Sequence, residues 1–128
     1  MCTAITEGIQ INVKNRFSKE YSNINHNQYF FEYTIEIENK SRHTVQLLRR
    51  DWYIFDSLNV PKFVAGDGVV GQQPILQPGE VYAYSSGCEL TSEIGYMTGH
   101  YTFKNLQSGN EFPVLIPRFD LYFPGILN

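Results

Sequence analysis

The sequence predicts an all-β fold, two antiparallel sheets packed as a sandwich of about seven strands. Three observations predict it. Apolar and polar residues alternate over several segments, and no stretch keeps the 3.6-residue period of an amphipathic helix. Aromatic residues make up 15% of the chain, with nine Phe and nine Tyr, and such side chains favour the pleated, half-buried surface of a sheet. Turn residues separate the alternating segments at short, regular intervals, as in a sandwich.

The first strand is expected where Ile9, Ile11 and Val13 alternate with Gln10, Asn12 and Lys14. Residues 17–27 are polar and Asn-rich and read as a mobile loop. The second strand is the clearest: Tyr29, Phe31, Tyr33, Ile35 and Ile37 alternate with Phe30, Glu32, Thr34, Glu36 and Glu38. One face is apolar and the other largely acidic, as in a sheet with one solvated side. Asn39-Lys40-Ser41 then makes a turn.

The third strand spans residues 45–56 and changes phase. Val45 and Leu47 share one parity, while Leu48, Trp52 and Ile54 share the other. A slip of this kind implies a β-bulge between residues 48 and 51, which would spare Arg50 from pointing inward. Further strands are expected at 60–65, 80–86, 96–103 and 111–121. The last contains Pro113 and Pro117. Proline cannot donate to a ladder, so this should be an edge strand or a bulged one, and its free side suggests a homodimer through edge pairing. Leu76-Gln77-Pro78-Gly79-Glu80-Val81-Tyr82 has the layout of a tyrosine corner, in which the Tyr82 hydroxyl bonds upstream backbone. That cue narrows the sandwich to an immunoglobulin-like or fibronectin type III-like one.

The 128 residues suit one domain spanning 1–128. The net charge of −3 and scattered cations argue against nucleic acid as a partner, because phosphate neutralisation needs a basic stripe. No signal-peptide pattern and no apolar run of transmembrane length is seen. The expected compartment is therefore the cytoplasm, with no membrane partner and both Cys2 and Cys88 reduced. Cys2 is expected at a frayed terminus.

Gly66-Asp67-Gly68-Val69-Val70-Gly71 matches the spacing of a dinucleotide-binding fingerprint. That motif needs a helix after it, whose N-terminus holds the pyrophosphate. Pro74 and Pro78 deny this chain the helix. The run reads as a glycine-rich loop that uses positive φ. Its backbone amides could still form an anion nest with Arg49 or Arg50 beside it. Gly66, Gly68, Gly71, Arg49 and Arg50 are thus the candidate ligand-binding residues.

Catalytic and metal sites are not indicated. His26, His43 and His100 lack ligand spacing. Cys88 has no Cys-x-x-Cys partner, and Ser86 is not in a nucleophile elbow. The Glu32, Glu36 and Glu38 stripe reads as a solvated face, and Trp52 as a core anchor. An inward Arg50 would need a carboxylate or carbonyl partner.

Several stretches together resemble the ApaG family. They are Val45-Gln46-Leu47-Leu48-Arg49-Arg50-Asp51-Trp52, Gly66-Asp67-Gly68-Val69-Val70-Gly71-Gln72-Gln73-Pro74, Leu76-Gln77-Pro78-Gly79-Glu80, Tyr84-Ser85-Ser86-Gly87-Cys88 and Met97-Thr98-Gly99-His100-Tyr101. The family usually has His where this chain has Asp51, which removes one polar or metal-binding group. The resemblance implies a fibronectin-type-III-like sandwich without an established activity. It also implies a connection with cobalt and magnesium handling, pyrophosphate binding by the Gly-rich run, and protein binding. The expected function is a non-enzymatic protein-interaction module without a cofactor. The alternative is a phosphate, pyrophosphate or nucleotide binder using residues 66–71.

Overall fold

A computed structural model describes residues 1–127. It contains nine strands: β1 (Cys2–Thr6), β2 (Ile9–Phe17), β3 (Tyr29–Asn39), β4 (Val45–Asp56), β5 (Lys62–Asp67), β6 (Ile75–Leu76), β7 (Val81–Leu90), β8 (Ile94–Asn105) and β9 (Glu111–Tyr122). Two short 3₁₀ turns lie at Ile24–His26 and Pro124–Leu127. All strand pairs are antiparallel. One sheet has the order β1-β2-β3-β7; the other has β5-β4-β8-β9, with β6 added alongside β4.

The period-2 pattern builds the core as expected. Ile9, Ile11 and Val13 of β2 and Tyr29, Phe31, Tyr33, Ile35 and Ile37 of β3 are buried against the second sheet. That sheet contributes Leu47, Trp52, Met97, Tyr101, Phe103, Val114, Ile116, Phe119 and Leu121. A buried apolar side chain of this size stabilises the fold by roughly 1.5–3 kcal/mol relative to exposure.

Two strands beyond the expected seven have simple causes. β1 carries Cys2, Ala4 and Thr6 on its half-buried side and exposes Ile5, so its hydropathy alternates the wrong way for detection. It is paired with β2 along its length, so Cys2 faces Val13 rather than fraying. β6 is only two residues, held against Val45 and Gln46. The tyrosine-corner expectation fails. Tyr82 is half-buried, and among the described residues its hydroxyl makes no bond to upstream backbone. Asn39 does that work instead: it is fully buried, its amide donates to His43 O at 2.8 Å and Leu76 O at 2.9 Å, and its Oδ1 accepts from Ser41 N at 2.9 Å. Residues 17–27 are likewise not a free loop. Ser18 is buried and donates its amide to Phe30 O, while Ser22 Oγ accepts from Phe30 N.

The two sides of the sandwich differ. On one, β9 is the edge strand its prolines predict, with a register shift opposite Met97–Gly99. Leu115 N donates to Thr6 Oγ1 of β1 at 3.2 Å, which laces this side to the first sheet. Leu115 therefore faces away from β8, and Pro113, two residues earlier, shares that outward parity. On the other side, β7 and β5 end their sheets without pairing to each other, and a cleft remains between them.

Candidate functional site

The cleft on the open side has a volume of about 420 Å³, within the range of ligand-sized pockets. Its floor is Trp52, Ile54, Val69 and Met97, its one wall is β7 from Tyr84 to Glu89, and its other wall holds Lys62 and Val64 of β5. Tyr33 and Arg50 also line it. The sequence motif and the cleft meet at Arg50.

Strand β4 bulges at Leu48, where the register with β8 slips between Leu47 and Arg49. The slip was legible in the parity change, but its position has the opposite consequence for Arg50. Because the extra residue is Leu48, Arg50 shares the inward parity of Trp52 and Ile54 and turns toward the cleft. The bulge also frees the Leu48 carbonyl, which accepts from Gly68 N at 2.8 Å and from Gln73 Nε2 at 2.9 Å. One displaced residue thereby aims the arginine and anchors the loop.

Gly66 lies directly opposite Arg50 in the β4–β5 register. A Cβ placed on Gly66 would sit 3.1 Å from both Nη1 and Nη2 of Arg50. The guanidinium passes beneath the glycine, where a side chain would crowd it. Arg50 Nη1 then donates to Asp67 O and Gly68 O, both at 3.0 Å. Those carbonyls are the partners an inward arginine requires, and among the described residues no carboxylate lies within ion-pair distance of Arg50. Gly68 has φ +62°, a left-handed backbone suited to glycine.

Val69 and Gln72 close a tight turn through mutual backbone hydrogen bonds of 2.8 and 2.9 Å. The two central residues have positive φ, +41° at Val70 and +78° at Gly71, as a type I′ turn requires. A β-branched residue at such a φ is strained. Val69 is fully buried and pins the turn to the core, while Val70 is 56% exposed at the rim. The Gly68 amide is thus used on Leu48 of β4, and those of Val69 and Gln72 on each other. Those of Val70 and Gly71 have no acceptor among the described residues.

Arg49 points to the outer face. It lies 3.9 Å from Asp51 Oδ1, and His100 Nε2 lies 3.5 Å from Asp51 Oδ2. The structure therefore seats Arg50, which lines the cleft, against Gly66 and Gly68, puts Val70 on the cleft rim with Gly71 next to it, and separates Arg49 from them. No group of three or more His, Cys, Asp or Glu that could hold a metal occurs among the described residues.

The ionisable walls of the cleft are tuned away from neutrality. Burial pushes Cys88 up to about 11, with Lys62 opposing the shift. Burial also raises Tyr33, against a hydrogen bond to Ser86 and the nearby Arg50 charge. Tyr84 is raised by burial as well, and its hydroxyl is hydrogen-bonded to that of Tyr101. All three stay protonated near neutral pH. Sequence reasoning missed Lys62, Tyr33 and the β7 wall as cleft residues. The one signal for them was the shared parity of Arg50 and Trp52, which places a cation beside an aromatic floor.

The ApaG domain sequence profile matches residues 19–105. The chain belongs to the ApaG family. It is 44% identical over 124 residues to the ApaG protein of Methylorubrum extorquens strain PA1, covering 97% of this chain and 95% of that protein. It is 46% identical over 124 residues to that of Methylocella silvestris, with the same coverage. Among solved structures, a protein designated ApaA from Bordetella pertussis superposes with a TM-score of 0.86 at 40% identity, covering 91% of this chain and 94% of that one. The sandwich architecture and the family resemblance therefore agree.

Proposed function

We propose that this ApaG-family chain is a non-enzymatic protein-interaction module of the cytoplasm that meets its partner on the open side of its sandwich. The observation that carries this reading is the cleft: its floor is apolar and aromatic, and the edge strand beside it is unusually exposed. Phe63 is 78% exposed and Val64 40% on β5, and Val70 adds an apolar rim. Such exposure at one rim is a mark of an interaction surface. Tyr33, Tyr84 and Cys88 on the cleft walls are all held protonated by burial, which suits binding rather than acid–base chemistry there. On this reading a connection with cobalt or magnesium handling runs through the partner.

A photo-cross-linking amino acid at position 64 tests it in cells, with the same group at Lys14 on the opposite sheet as control. A discrete adduct from position 64 alone is expected. Adducts from neither site, or equally from both, would remove the open side as the contact face.

A second reading has one observation behind it. The free amides of Val70 and Gly71 lie at the tip of the Gly-rich run, and Arg50 lines the same cleft. Phosphate or pyrophosphate could be held there. Titration with pyrophosphate should shift the amides of residues 70 and 71 in an NMR spectrum; unmoved amides would dismiss it.

A further inference from the structure

We propose that the outer edge of β7 receives an extended peptide strand that brings a carboxylate side chain to Arg50. This rests on the open side being the contact face and names the chemistry of what binds there. The inference starts from backbone parity. Asn39 N donates to Glu80 O, so the odd-numbered residues of β3 turn their backbone groups toward β7. Their partners, Tyr82, Tyr84, Ser86, Cys88 and Leu90, are the bonded residues of β7. The alternate residues Val81, Ala83, Ser85, Gly87 and Glu89 point N–H and C=O outward, and none of these amides has an acceptor among the described residues.

The four sheet edges are not equivalent. At β9, Pro113 and Pro117 offer no N–H and Leu115 N is capped by Thr6. β1 has five residues and lies on that same laced side. On β5 the outward carbonyl of Asp67 is already bonded to Arg50. β7 is different: ten residues in unbroken register with β3, with no proline, lysine or bulge. Natural sheets guard their edges with those very devices, so an unguarded ten-residue edge beside an apolar cleft is a template for strand addition.

Charge selects the strand. Arg50 uses Nη1 on loop carbonyls and has no carboxylate partner, and Lys62 also faces the cleft without an ion pair among the described residues. Glu89 is the one acidic residue in the lining, opposite Lys62 at the far end from Arg50. An added strand would therefore place apolar side chains over Trp52 and Met97 and a Glu or Asp at Arg50.

The test uses the whole protein and the peptide acetyl-Thr-Val-Thr-Glu-Thr-Val-Thr-amide, with a Glu-to-Lys version as control. Binding should protect the amides of residues 81, 83, 85, 87 and 89 from hydrogen exchange. The Lys peptide should bind about tenfold more weakly. Ser85→Pro removes one outward N–H and the exposed side-chain bond to Thr34 Oγ1 but leaves the backbone ladder to β3 intact, so it should stay folded by circular dichroism and lose about tenfold in affinity. Arg50→Met should erase the preference for Glu over Lys. Equal affinity for the two peptides, or unaffected binding by folded Ser85→Pro, would overturn the proposal. So would protection of the same amides without peptide in a concentration-dependent manner, since a second copy would then own the edge. If position 64 captures a partner while no peptide protects β7, the interaction module stands and strand addition falls.

Discussion

Replacing Gly66 with valine separates two roles for that glycine. If Gly66 is small to let Arg50 pass, the substitution should be costly only while the arginine is present. Valine would put its Cβ 3.1 Å from Nη1 and Nη2 and its methyl groups further into the guanidinium. The guanidinium must then give way, at most by losing its bonds to Asp67 O and Gly68 O. Hydrogen bonds from charged donors contribute roughly 1.5–3 kcal/mol when buried; for a half-exposed guanidinium about 1 kcal/mol each is reasonable. Against that loss of about 2 kcal/mol, valine in a strand gains about 1 kcal/mol over glycine. Gly66→Val should therefore destabilise the protein by about 1 kcal/mol. In an Arg50→Met background the clash is gone and the same change should stabilise by about 1 kcal/mol, a coupling of about 2 kcal/mol. Urea unfolding followed by the fluorescence of Trp52, the lone and buried tryptophan, measures both. Equal effects in the two backgrounds would refute the steric account and return Gly66 to the pool of loop glycines.

Three further outcomes follow from the same geometry. Val70→Asn creates an Asn-Gly pair at a turn with two positive φ values, and relief of the left-handed strain should raise stability by about 1 kcal/mol; a fall in melting temperature would contradict the turn assignment. Asp56 is buried at the end of β4; burial pushes its carboxyl up, but hydrogen bonds from Ser92 and Thr91 outweigh this and hold it below the usual carboxylate range. Its folded pKa is thus below the unfolded one, so its stabilisation is present above the unfolded value of about 4 and is lost as pH falls through the folded value. Asp56→Asn should lose about 2 kcal/mol at pH 7 and show a flatter acid limb in unfolding as the pH falls below about 4; an unchanged limb would assign the acid sensitivity elsewhere. Finally, a disulfide reagent at pH 8 should find one fast thiol, Cys2, and one slow one, because Cys88 is buried and raised to about 11. Two equal rates would mean the cleft wall opens readily.

What the sequence revealed was local, and what it hid was pairing. Burial alternation along β2 and β3 was visible because Ile, Tyr and Phe keep one parity with polar residues between them. The edge position of the last strand was visible because Pro113 and Pro117 cannot donate to a second neighbouring strand. β1 was invisible because its inward residues are Cys2, Ala4 and Thr6. The corner at residues 76–82 was visible as a turn, and Gly79 does take φ +89°, but beside the local bonds between Gln77 and Glu80 it is tied down by Asn39, far away in sequence. The role of Gly66 was hidden for the same reason. Nothing within residues 60–72 says that Arg50 lies opposite, since that depends on the register between two strands.

The electrostatic sense of the Gly-rich run follows from that register. An anion nest points successive N–H groups at its ligand. Here the ligand-like group held by the run is a cation, and what points at it is carbonyl oxygen from Asp67 and Gly68. The left-handed turn at Gly68 belongs to that arrangement, while its N–H goes back to the bulge at Leu48. The run is therefore built with the opposite polarity to a phosphate cradle over its first half, and only the Val70–Gly71 tip keeps free donors. An inward arginine in a sandwich core would carry a desolvation cost of several kcal/mol. Placing it at the unlaced side, under a glycine and against two carbonyls, lowers that cost, and its Nε and Nη2 have no hydrogen-bond partner among the described residues. Acid recognition on this surface is then a property of Arg50 seated by the loop, and any affinity for negative charge should follow the arginine rather than the glycines.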